Sequence, residues 1–180
     1  MLFRSDIIAG DDLMVRAPEQ MAAIDCREFM LADALEPLAP DYDFIIVDCP
    51  PGLGIVTKNA LVAAGEVIVP VNTDDYSMDG FGELVEQAEA IRSDRRLNPG
   101  LGQVRALLTI YDGRSLGARG RRAHLAEESA ARRAGSFATV IRRCVKTDDA
   151  QKRNVPLLDY CPECTTARDY LSLVDELLAS

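Results

Sequence analysis

The chain has 180 residues, 48% of them hydrophobic and 27% charged, with a net charge of −9. That suffices for one domain with its own core, since chains of about 150 residues bury roughly 68–70% of their unfolded surface. It excludes a membrane-spanning protein, because no apolar run approaches the ~18–20 residues that cross a bilayer, and Met1 to Asp6 show no apolar secretory leader. Five cysteines, an odd number, argue against a disulfide scaffold and for a cytoplasmic setting. The charge is uneven. Residues 1–100 hold 7 basic and 19 acidic groups, whereas 105–153 hold 12 basic and 5 acidic. A basic segment in an acidic chain can attract a polyanion locally while the whole stays soluble.

In chain order, Leu2-Phe3-Arg4 reads as extended and Ala9 to Asp12 as a loop. Residues 18–38 read as two short helical pieces, with Phe29, Leu31, Leu35 and Leu38 on an apolar face. Tyr42 to Cys49 carries four consecutive apolar residues, the pattern of a parallel strand buried on both faces. A helix is expected at 57–64, a strand from Glu66 to Val71, and an amphipathic helix from Met78 to Ser93. A strand follows from Val104 to Tyr111, a basic helix at 116–134, and a short strand from Ala138 to Ile141. A short helix at 147–153 and a final one at 165–179 complete the chain.

Strands alternating with helices predict an α/β fold, a mainly parallel sheet with helices on both faces. Ligands of such sheets bind beyond the C-terminal strand ends. That rule selects four loops on one rim, Asp48–Gly54, Asn72–Asp79, Asp112–Leu116 and Arg142–Lys146.

Ile45-Ile46-Val47-Asp48 is a hydrophobic strand ending in a carboxylate, the Walker B pattern. A carboxylate there can hold the water shell of Mg²⁺ beside nucleotide phosphates. Alone the pattern also fits an Asp capping the next turn. The loop after it, with Pro50, Pro51, Gly52 and Gly54, joins stiff prolines to permissive glycines, as suits a switch that senses a γ-phosphate.

These residues, with the later blocks VIVPVNTDDYSMDGFGEL, LLTIYDGRS, TVIRRCVKTDDA and VPLLDYCPECTTARDYLSL, closely resemble the ParA/Soj branch of the ParA/MinD partition ATPases. The resemblance covers roughly residues 30–179. It implies a P-loop NTPase-like fold, ATP with Mg²⁺, a homodimer, nonspecific DNA binding, a ParB-like adaptor, and plasmid or chromosome segregation at the nucleoid. It implies that Asp48 is the Walker B aspartate, acting on Mg²⁺ through water. It places the nucleotide-base loop around Ile141–Lys146, with Arg142, Arg143 and Cys144, and DNA contacts at Arg114 and Lys146. The basic helix adds Arg119, Arg121 and Arg122 as candidates for DNA phosphates. A salt-bridged, solvated face is the alternative, because Glu127 and Glu128 lie within it.

The family's Lys-Gly-Gly-x-Gly-Lys-Thr loop has no counterpart, and none of Lys58, Lys146 and Lys152 follows a glycine. Backbone N–H groups and a helix N-terminus normally cradle the phosphates. The expectation is therefore one ParA-like domain over 1–180, incomplete at its N-terminus, that does not hydrolyse ATP alone. An upstream chain carrying the P-loop becomes a further expected partner. The base loop also departs from the family's Ile-Pro-Arg-Asn, reading Ile141-Arg142-Arg143-Cys144. The competing reading is a nucleotide-independent DNA-binding or adaptor module. A membrane-cycling relative is disfavoured because Thr165–Ser180 lacks a basic amphipathic character.

Three other features read as structural. Cys161-Pro162-Glu163-Cys164 has metal-knuckle spacing without the second ligand pair of a zinc site. His124 reads as a surface residue, and Asp74, Asp75 and Asp79 as a helix cap.

Overall fold

The computed structural model describes residues 5–10, 16–72, 75–113 and 116–179, with the side chains of 75–77 and 116 outside that description. The extended stretch expected at Leu2-Phe3-Arg4 lies outside it, as do Asp11 and Asp12. Residues 18–38 break up as expected. Helix α1 is Ala17–Met21, a 3-10 turn covers Arg27–Phe29, and α2 is Met30–Leu35. Pro18 suits the first turn of α1, where its missing N–H has no intrahelical partner to lose.

Helix α3, Ile55–Ala63, is locked to this region by buried Asn59. Its side-chain amide donates to the Arg27 and Ile55 carbonyls, and its oxygen accepts the Leu31 N–H. Then follow strand β1 (Val67–Val71), helix α4 (Asp75–Ser93), strand β2 (Val104–Leu108), helix α5 (Leu116–Ala131) and the two-residue strand β3 (Gly135–Ser136). Helices α6 (Val145–Lys152), α7 (Leu157–Tyr160) and α8 (Thr165–Leu178) end the chain. The strands lie in the order β1-β2-β3, all parallel, with Val67 opposite Val104 and Val71 opposite Leu108. The sheet is α/β, parallel and helix-covered, as the alternation of elements predicts.

Period-two alternation along β2 builds two cores. Val104, Ala106 and Leu108 face a large cluster with Val71, Phe81, Val85, Ile91 and Leu125 from β1, α4 and α5. Leu107 faces the other way, onto Phe137, Ile141 and Leu173, the last on α8. The central strand is thus covered on both faces. Strand β1 is covered on one, because Val67, Val69 and Val71 join the large cluster while Ile68 remains exposed.

The segment Tyr42–Cys49 corrects the sequence reading. Among the described residues it joins no β-ladder. Phe44 is 71% and Ile46 93% exposed, with Ile45 and Val47 also exposed. Four apolar residues specify a preference for burial, but a parallel strand also needs an edge whose N–H and C=O groups pair with its own. Among the described residues β1 pairs with β2 alone, and Tyr42–Cys49 does not add to its other edge.

Two other boundaries move for identifiable reasons. Strand β2 ends at Leu108, not Tyr111, because Ile110 adopts φ +52°. A β-branched residue in the left-handed region is strained, and the turn breaks the ladder. Pairing resumes in one bridge, Tyr111 to Arg142. The strand expected at Ala138–Ile141 is replaced by Gly135–Ser136 and that bridge. Phe137 and Ile141 still donate to the carbonyls of Ala106 and Leu108. Between them, the N–H groups of Ala138 and Thr139 turn to the Glu176 carboxylate, at 2.7 and 2.9 Å.

Candidate functional site

The C-terminal rim of the sheet is assembled from backbone bonds. The Thr109 N–H donates to Val71 O at 2.8 Å, joining the exits of β1 and β2. The Tyr111 N–H donates to Ile141 O, and the Arg143 N–H returns to Tyr111 O. From α5, the Arg119 guanidinium donates to Gly113 O at 3.1 Å. Arg119, Arg142 and Arg143 therefore converge on one edge, and Lys146 follows on the first turn of α6. All four are exposed. Three of the expected rim loops are thus brought together, though Asp74 and Arg114, which belong to them, lie outside the described residues.

The basic side chains are not equally available. Arg142 is held by Asp169, which is 8% exposed. The Asp169 carboxylate accepts the Arg142 backbone N–H at 2.9 Å and its guanidinium at 2.5–3.1 Å. The hydroxyl of Thr166 donates to the Arg142 carbonyl at 2.7 Å. That hydrogen-bonded partnership raises the Arg142 pKa further above its already high ordinary value, against a smaller opposing effect of burial. Lys146 pairs with Asp149 at 3.6 Å and lies over the Tyr160 ring. Arg122 donates to Ala138 O at 3.0 Å, and Arg121 lies against Gly117. Arg132 pairs with Glu86 and Glu128. Helix α5 is therefore partly the salt-bridged face named as its alternative.

Asp169, Thr166 and Glu176 are absent from the sequence-derived site. One signal could have found the first. Asp169 lies four residues before Leu173 on the inner stripe of α8, where a carboxylate needs a partner.

The backbone bonds that assemble this rim do not include Asp48. It is exposed at the end of the unladdered segment. The loop after it is anchored to helices instead, with the Thr57 hydroxyl donating to Gly52 O at 2.6 Å and Gln87 to Leu53 O at 3.1 Å. Gly52 has φ +119°, which a side chain would strain, so a glycine is needed there. Burial pushes the neighbouring Cys49 thiol up, and the Asp48 charge adds to it. Among the described residues no group of three His, Cys, Asp or Glu side chains could hold a metal ion. These residues alone do not fit Mg²⁺-ATP. They offer one carboxylate outside the sheet and no glycine-lysine phosphate cradle. His124 is exposed on α5, as expected. Asp79 is exposed, while the side chain of Asp75 is outside the description. No helix among the described residues is long and apolar enough to cross a membrane.

Comparison with known proteins defines the family. Residues 2–102 match the AAA domain family. The chain is 35% identical over 159 residues to the chromosome partitioning protein ParA of Myxococcus xanthus, covering 86% of this chain and 53% of that protein. It is 32% identical over 176 residues to the sporulation initiation inhibitor protein Soj of Bacillus subtilis, covering 97% of this chain and 67% of Soj. The chain thus spans between half and two thirds of the length of these relatives. Cobyrinic acid a,c-diamide synthase of Mycobacterium smegmatis superposes with a TM-score of 0.73 at 28% identity, over 92% of this chain and 58% of the synthase. The ATP complex of Cyanothece McdA gives 0.78 at 17% identity, over 93% and 64%, a likeness of fold. With its parallel α/β sheet, its motif order and these relatives, the chain belongs to the ParA/MinD-type ATPase family.

Proposed function

We propose that this chain supplies the Mg²⁺-side carboxylate, the switch loop and the DNA-facing rim of a ParA-type partition ATPase, with the phosphate cradle contributed by a segment other than these 180 residues. One observation carries the reading. Phe44–Val47 has the composition of a doubly covered parallel strand, yet it is exposed and joins no ladder among the described residues, while β1 keeps one edge unpaired. A P-loop strand between this segment and β1 would give both a neighbour. Asp48 would then be fixed by a ladder, where it could hold the Mg²⁺ water shell. The complete assembly would dimerise, bind DNA without sequence preference and answer to a ParB-like adaptor at the nucleoid in the cytoplasm.

Co-expression with the P-loop half of a related ParA tests this. ATP hydrolysis is expected from the pair and from neither part alone. Asp48→Ala in the pair should lower it by about 100-fold or more, the range seen when one electrostatic stabiliser is removed. Unchanged hydrolysis in Asp48→Ala would falsify the role of that carboxylate.

A second reading has its own support, namely the convergence of Arg119, Arg143 and Lys146 on one rim within the basic window. In it, the chain is a nucleotide-independent DNA-binding or adaptor module. Gel shifts separate the two. Binding without ATP that falls steeply with salt and is lost in the Arg114→Glu, Lys146→Glu double variant favours the module. No binding with or without ATP rules it out.

A further inference from the structure

Helix α8 has two apolar sides, and the sheet uses one of them. Leu173 packs with Leu107, Phe137 and Ile141, and Leu177 lies beside it. On one flank of that contact stand Asp169 and Glu176, seven residues apart and so in line along the helix. They accept the N–H groups of Arg142, Ala138 and Thr139. On the opposite flank stand Tyr170, Val174 and Leu178, spaced four apart, with Leu171 next to them. These side chains remain exposed, from 43% at Tyr170 to 64% at Leu178. The sheet fixes which way this flank looks. Phe137 and Ile141 donate to the carbonyls of Ala106 and Leu108 on the β3 side of β2, so the two carboxylates mark the β3 side of α8. The apolar flank therefore looks toward β1. There the strand is bare. Ile68 lies opposite Arg105 and Pro70 opposite Leu107, so both share the face that α8 covers at β2, and both are exposed.

The connections of the sheet say what can cover this face. Helix α3 leads into β1, α4 joins β1 to β2, and α5 joins β2 to β3. All three contribute to the large cluster on the other face. Parallel crossovers are overwhelmingly right-handed, so every connection running from β1 toward β3 puts its helix on that one face. A connection running the other way puts its helix on the face of α8. The β2 side of β1 is occupied, and its other edge is unpaired among the described residues. A parallel strand that joins this edge and continues away from β2 therefore brings its helix over Ile68, beside Tyr170 and Val174.

We infer that the exposed flank of α8 and the bare face of β1 form the docking surface for one amphipathic helix, the helix that follows the strand added at the β1 edge. The inference rests on the reading proposed above, in which that strand belongs to a segment other than these 180 residues. The chain spans only part of its relatives' length, so such a segment exists in them. From Tyr170 to Leu178 the flank runs about 12 Å, which matches roughly two turns of a facing helix. That helix must carry an apolar stripe with three- and four-residue spacing and a polar side for solvent. Helix α8 also bears Thr166 and Asp169, which hold Arg142. A helix seated on its flank is thereby coupled to the loop that family resemblance gives to the nucleotide base.

The test puts a thiol on each side of α8. Val174→Cys marks the apolar flank and Ser172→Cys the polar one. Trypsin cleavage after Arg168 isolates 169–180, which has no cysteine of its own. Each full-length variant is alkylated with iodoacetamide, with and without the P-loop half of a related ParA, and the mass of that peptide is followed. With the half at about ten times its Kd, the Val174→Cys thiol should react about tenfold more slowly. The Ser172→Cys thiol should keep its rate. ATP hydrolysis by the parent pair, measured alongside, separates the possible failures. Hydrolysis with an unprotected Val174→Cys thiol overturns the docking surface and leaves the proposed ATPase standing. Protection without hydrolysis supports the docking surface and counts against the ATPase. Neither protection nor hydrolysis overturns both. Equal slowing of the two thiols overturns the inference. So does protection that needs no half and grows with the concentration of the chain, which assigns the flank to a second copy.

Discussion

Ile45-Ile46-Val47 and Ala106-Leu107-Leu108 have almost the same apolar character and opposite surroundings. The second lies in β2, with β1 on one side, β3 on the other, and helices above and below. The first has no ladder neighbour among the described residues and is exposed throughout. Apolar composition states that a segment is suited to burial. Whether it is buried depends on a partner edge, which the segment itself cannot encode. The same contrast separates the two halves of the expected site. The rim at Tyr111 and Arg142 is tied by backbone bonds, whereas Asp48 ends a segment that the sheet does not hold.

The sharpest break in this comparison should come in β2. Leu108→Ala removes a side chain buried in the large core and is expected to cost about 3 kcal/mol by urea denaturation. A loss under about 1 kcal/mol would mean that the core around β2 is loosely packed. Next, Asp169→Ala deprives the Arg142 N–H and guanidinium of their acceptor. About 2 kcal/mol should be lost, moderated because the Arg142 side chain is half-exposed and can be rehydrated. Hydrogen exchange at the Arg142 amide should rise in the same variant.

Glu176 adds a pH-dependent tie. Burial raises its pKa, but the N–H groups of Ala138 and Thr139, the Thr139 hydroxyl and the Arg105 charge together outweigh that and hold it below the usual range. A depressed carboxylate stabilises the fold fully above its unfolded-state pKa and loses that effect as pH falls through the folded value. Glu176→Gln should therefore cost about 1 kcal/mol at neutral pH. The difference from the parent chain should shrink below roughly pH 4. A pH-independent difference would show that the charge is irrelevant. The smallest effect belongs to the exposed run. Ile46→Ser should change stability by less than about 0.5 kcal/mol and lower self-association in light scattering. A large loss would mean that Ile46 is buried in solution.

The residues that made the fold legible are those whose partners are local or recur with a fixed period. The helices α3, α4, α5 and α8 and the strands β1 and β2 follow from periodicity, and their ends moved by only a few positions. The Pro-Pro-Gly loop and Asp48 revealed the family. Three things could not be read. The exposure of Phe44–Val47 depends on a neighbour, not on its own residues. The break at Ile110 has no turn residue to announce it, since isoleucine is a poor choice for φ +52°. The Arg142–Asp169 clamp joins residues 27 positions apart, a pairing that only the packing of α8 against the sheet defines. That clamp also leaves the Arg142 side chain less free to reach a ligand than its place in the expected base loop implies.

The family pattern that the sequence resembles would put a proline where this loop has Arg142. A proline restrains its backbone covalently, at every pH and ionic strength. Here the same stretch is pinned by a guanidinium, a carboxylate and a hydroxyl drawn from another helix. Its stiffness is therefore conditional. A competing anion that binds Arg142, or a displacement of the start of α8, can unfasten the loop without breaking a covalent bond, so the support works as a latch.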